Sequence, residues 1–97
     1  MLNSKQRSSL RAIASNLEPL TQVGKNGITD TVIKTLDEAI EKRELIKITV
    51  LENSALDSKS AGFEIAEKLS AEFVCATGRK LVFYRRSKKE GVKHIEF

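Results

Sequence analysis

With 97 residues, 40% of them hydrophobic, and a net charge of +4, the chain suits a single domain with a modest core. No apolar run approaches the roughly 20 residues a membrane span needs, and no apolar signal-like segment follows Met1 to Arg7. Cys75 is the only cysteine, which excludes an internal disulfide and fits a reducing, cytoplasmic setting.

Ser4 to Asn16 reads as a first helix, with Leu10, Ile13, Ala14 and Leu17 on one face. Arg7 and Arg11, four residues apart, flank that face, and Lys5 lies further round. Pro19 is expected to end the helix. Leu20 to Val23 reads as a short strand, followed by Gly24-Lys25-Asn26-Gly27. Thr29 caps a second helix, Asp30 suits its positive dipole end, and Val32, Ile33, Leu36 and Ile40 form its apolar stripe. Leu45 to Leu51 is rich in β-branched residues and reads as a second strand. Glu52 to Leu56 follows as a loop.

Asp57 or Ser58 caps a third helix reaching about Ala71, with Gly62, Ile65, Ala66 and Leu69 inward. Phe73 to Thr77 and Lys80 to Arg85 read as two strands joined by Gly78-Arg79, the signal of a type II′ hairpin. Residues 87–97 form a basic tail, expected to be partly disordered, although Val92, Ile95 and Phe97 could dock a last strand. The order is α-β-α-β-α-β-β, an α/β fold with a mixed four-stranded sheet packed with helices. Parallel neighbours joined by crossover helices and one terminal hairpin are expected, with both faces of the central strands covered.

Charge is unevenly distributed. Residues 29 to 72 carry six cations and ten acids, residues 1 to 28 carry four cations and one acid, and residues 73 to 97 carry seven cations and two acids. If the ends meet in the fold, one face is strongly basic and attracts polyanions.

Catalysis finds little support. His94, the sole histidine, reads as surface filler, and Cys75 has no basic neighbour in its own strand to lower its pKa. One Cys and one His cannot build the usual four-ligand zinc site, so no metal or cofactor is expected. Asp37, Glu38 and Glu41 read as a solvated acidic surface. A phosphate-binding corner is better supported. Two glycines let the backbone turn sharply and approach a ligand, unpaired amides at a helix start suit an anion, and Lys25 adds charge. The candidate contacts are Gly24, Lys25, Asn26 and Gly27, with Lys5, Arg7 and Arg11 on the first helix, Arg79 and Lys80 at the hairpin, and Arg85, Arg86, Lys88 and Lys89 beyond it. Tyr84 reads as core in preference to a base-stacking platform. KH domains also use a G-x-x-G loop on RNA, but between two helices; here it joins a strand to a helix.

Lys5-Gln6-Arg7 with Leu10-Arg11, Val23 to Thr29, Glu44-Leu45-Ile46-Lys47, Gly78-Arg79 and Phe83-Tyr84-Arg85 occur in the order and at the spacing of a known family. Over about residues 3 to 86 the chain resembles the CRM domain (chloroplast RNA splicing and ribosome maturation), in particular its bacterial stand-alone YhbY-type members. The resemblance implies a fold similar to the C-terminal domain of translation initiation factor three. It also implies RNA binding, association with precursors of the large ribosomal subunit, and Gly24 to Gly27 as the RNA-contacting loop. Phe83 stands where the family more often has Leu, a mild departure. A monomer acting on RNA, with no membrane or small-molecule substrate, is the expectation. The alternative is a protein-interaction module docking on ribosomal or assembly proteins through the acidic side of the second helix.

Overall fold

The computed structural model describes residues 2–24, 27–51 and 57–97; the expected loop at Glu52 to Leu56 lies outside them. Helix α1 (Ser4–Ala14) starts in a capping box. The Asn3 side chain accepts from the Gln6 amide at 2.8 Å, and the Gln6 side chain accepts from the Asn3 amide at 3.0 Å. The helix stops at Ala14 with Ser15 as its C-cap, short of the expected Asn16, so Pro19 is not what ends it. The Ser15 hydroxyl donates to Ala12 O and Lys47 Nζ to the carbonyls of Ala14 and Leu17, which serves the exposed helix end. Only Leu10 and Ala14 are buried along the helix; Ile13 and Leu17 are 37% and 36% exposed, contrary to the expected stripe.

Strand β1 (Gln22–Val23) leads to α2 (Asp30–Arg43), which Thr29 caps as expected, and β2 (Leu45–Val50) follows. Asp57 caps α3 (Ser58–Leu69), accepting from the amides of Lys59 and Ser60 and from the Ser60 hydroxyl. These bonds, the hydroxyl foremost, hold its carboxyl below the usual range. Ser70, in the left-handed region at φ +53, ends α3 two residues before the expected Ala71. Strands β3 (Glu72–Thr77) and β4 (Lys80–Tyr84) form the expected hairpin, with positive φ at Gly78 and not at Arg79, as a type II′ turn requires.

The sheet order is β1-β2-β4-β3. β1 and β2 are parallel neighbours across α2, as anticipated, but β3 does not lie beside β2. β4 inserts between them, antiparallel to both. The reason is burial: four of the five residues of β4, Leu81 to Tyr84, are buried, whereas Ala76 and Thr77 of β3 are exposed and tolerate an edge. Alternation then sorts the side chains. Ile46, Ile48, Val50, Leu81 and Phe83 face α2 and α3; Leu45, Val82 and Tyr84 face α1. Removing a fully buried side chain such as Phe83 from water contributes about 1.5–3 kcal/mol.

The tail is docked and forms no strand. Ile95 packs on the α1-side cluster, and the Phe97 ring meets Tyr84 edge-on at 4.9 Å. Its anchor is Glu44, which is fully buried just past α2 at φ +66. The Glu44 carboxylate accepts from the amides of Ser87 (2.6 Å) and Ile95 (2.7 Å), and His94 Nδ1 lies 2.6 Å away. His94 is therefore a tail anchor and not surface filler. Burial pushes the Glu44 carboxyl up, but the Ser87 amide, His94 and the Ile95 amide outweigh it and hold the group below its ordinary value.

Candidate nucleic-acid interface

Three connections meet at one end of the sheet: the glycine corner after β1, the chain leaving β2, and the β3–β4 hairpin. The corner is closed by the Gly27 amide donating to Gly24 O at 3.0 Å, with Gly27 at φ +71, a conformation that glycine adopts without strain. Lys25 and Asn26, the central residues of the motif, lie outside the described residues. Leu51 ties the corner to the hairpin. Its amide donates to Val23 O at 2.8 Å, and its carbonyl accepts from Arg79 Nη1 at 3.3 Å. At the start of α2 the Thr29 side chain takes the Val32 amide, as the expected cap does, and the Ile33 amide makes the first intrahelical bond to the Thr29 carbonyl.

On the α1 side of the sheet, Arg11, Lys47 and Lys80 line a hollow of about 230 Å³ with Ser15, Thr77, Cys75 and Val82. Among the described residues that line it, none is acidic. The three cations come from α1, β2 and β4, so only tertiary packing assembles them. Cys75 is half-buried there. Lys47 escaped the sequence reading as a site residue. The alternation of Leu45 to Val50 was its signal, since Lys47 must face away from Ile46 and Ile48.

The other expected contacts divide. Lys5 is exposed on the first turn of α1, while Arg7 donates to Phe73 O at 2.8 Å. Arg85 is not free to take a phosphate as anticipated. Its guanidinium bonds Asp37 at 2.8 Å, Glu41 at 2.9 Å and Leu69 O at 2.7 Å. Glu41 also accepts from the Ser87 hydroxyl and from the amides of Lys88 and Lys89. The Lys88 amide, the Ser87 hydroxyl and Arg85 hold the Glu41 carboxyl below its usual range. Glu41 is thus committed to the tail and, with Asp37, to Arg85, while Asp37 and Glu38 remain exposed, so the acidic side of α2 is a solvated surface only in part. Arg86, Lys88 and Lys89 are exposed, but they follow β4 at the end of the sheet away from the hairpin. One strand length, about 17 Å, separates them from Lys80, so among the described residues the candidate cations form two groups and not the one basic face expected. Tyr84 is buried, with its hydroxyl pKa raised by burial and the charge of Glu44, as its core reading requires.

A family model described as the CRS1 / YhbY (CRM) domain matches residues 2–85. The probable RNA-binding protein YqeI of Bacillus subtilis (strain 168) is 40% identical, over 99% of this chain and 98% of its own length. The probable RNA-binding protein MJ0652 of Methanocaldococcus jannaschii is 39% identical over 87% of this chain and 63% of its own length. The solution structure of the hypothetical protein SAV1595 from Staphylococcus aureus superimposes with a TM-score of 0.81 at 38% identity, covering 99% of this chain and all of that one.

Proposed function

The chain belongs to the CRS1 / YhbY (CRM) domain family, and on that premise we propose that it binds RNA without acting as an enzyme. The RNA is that of precursor large ribosomal subunits, as the resemblance implies. The glycine corner, Arg79, Lys80 and the Arg11–Lys47 side of the hollow hold the sugar-phosphate backbone, with Arg7 and Lys5 further along α1. Arg86, Lys88 and Lys89 form a second, separate contact. Both curated relatives described above are named as probable RNA-binding proteins, which supports the polymer.

The observation that carries the reading is the hollow of three cations, with no acid among its described lining residues, beside a hairpin tied to the glycine corner. Such a surface attracts phosphates with little base readout. The alternative, a protein-docking module using the acidic side of α2, loses support because Asp37 and Glu41 already bind Arg85 and the tail.

Labelled single-stranded RNA titrated with the purified protein tests the proposal. Lys25→Glu and Arg79→Glu are each expected to weaken binding about ten-fold or more, with melting temperatures nearly unchanged because Arg79 is exposed. Unchanged affinity in both variants would overturn it.

A further inference from the structure

Phe63 is 61% exposed, the most exposed large hydrophobic side chain among the described residues. It stands on α3 beside an open groove of about 950 Å³ along the β3 edge, shared with Arg7, Lys59, Phe73 and Arg79. Its ring is not loose. It meets Phe73 edge-on at 5.2 Å and 85°, and Phe73 stacks on the buried Phe83 at 5.6 Å. Three rings thus run from the core to the surface. Gly62 permits this, since a Cβ there would run into the Phe73 ring. The cost of ordering the outermost ring is therefore already met by the fold.

We infer that Phe63 is a base-stacking platform and that the groove takes a nucleotide of single-stranded RNA beyond the backbone-binding corner. The inference rests on the RNA reading above and extends it, because Arg79 belongs both to the hairpin of that interface and to this groove. Lys59 and Arg79 are exposed on the groove and suit the flanking phosphates. Asp57 and Glu72 also line it; both carboxylate oxygens of Asp57, the N-cap of α3, already accept from the Lys59 and Ser60 amides and the Ser60 hydroxyl. A base stacks on an aromatic ring without needing a particular sequence. A peptide added as a strand fits less well. The β3 edge is interrupted between Phe73 and Cys75, and Arg7 already occupies the carbonyls of Phe73 and Val74.

The test compares a labelled single-stranded RNA with an abasic strand of the same length that keeps the ribose-phosphate backbone. Phe63→Ala is expected to weaken RNA binding about ten-fold while leaving abasic-strand binding and the salt dependence unchanged, and Phe63→Trp is expected to restore RNA affinity. Equal loss on both strands would show a structural effect, and no loss on either would assign the groove to another partner such as a protein; each overturns the subsite. If the unaltered protein binds no RNA, the broader reading fails and the subsite with it. RNA binding indifferent to Phe63 removes the subsite alone.

Discussion

Glu44 is a carboxylate removed from water, in a backbone conformation that costs a non-glycine residue free energy, and it persists because it closes the tail onto the body. Replacing it with Gln removes the charge that the Ser87 and Ile95 amides and His94 face. At pH 7 this should destabilise the protein by about 1–3 kcal/mol, measured by urea unfolding. The pH dependence has a definite sign. The folded-state pKa of Glu44, like that of Glu41, lies below the unfolded value, so the unfolded chain binds protons more readily. The stabilisation is complete above the ordinary glutamate pKa of about 4.3 and is lost as pH falls through the folded-state values. The gap between the native protein and Glu44→Gln should therefore narrow from pH 5 downward. Titration of Tyr84 lies far above that window and leaves it untouched.

Among the elements, the β3–β4 hairpin contributes Arg79 and Lys80 to the proposed interface, and its turn depends on one residue. Gly78 sits at φ +60 with open space around the position a Cβ would take. Gly78→Ala therefore meets no neighbour within contact distance and bears only the backbone cost of an L-residue held at positive φ, about 1–3 kcal/mol. A thermal melt should show a drop of roughly 4–8 °C per kcal/mol for a chain of this size. RNA affinity should fall with it if the hairpin has to present Arg79 and Lys80 in register. The short β1 also owes its place to other elements: Leu20 and Leu51 donate to Lys47 O and Val23 O, which extends a two-residue ladder at both ends.

At the level of the whole molecule, the decisive feature is that the positive charge is split. If four to six phosphates are held, log affinity should fall with log salt with a slope of roughly −3 to −4 on single-stranded RNA. Lys80→Ala should flatten that slope by about 0.7, whereas Arg85→Ala should leave it unchanged and lower stability instead, since Arg85 joins α2, α3 and the tail. Binding isotherms between 50 and 200 mM salt make the comparison. A slope that responds equally to both substitutions would contradict the division of the cations into structural and exposed sets.

Helix and strand order, the Thr29 cap, the glycine hairpin and the apolar faces of β2 and α3 were legible in the residues themselves, because periodicity and turn chemistry are local properties of adjacent side chains. Glycine spacing marked the corner for the same reason. What the chain alone did not disclose depended on partners far apart in sequence. The insertion of β4 beside β2, the burial of Glu44 under a tail some 50 residues later, the commitment of Arg85 to Asp37 and Glu41, and the meeting of Arg11, Lys47 and Lys80 all follow from packing. A charged side chain looks the same in a sequence whether it faces water or another charge, and only the tertiary structure decides which.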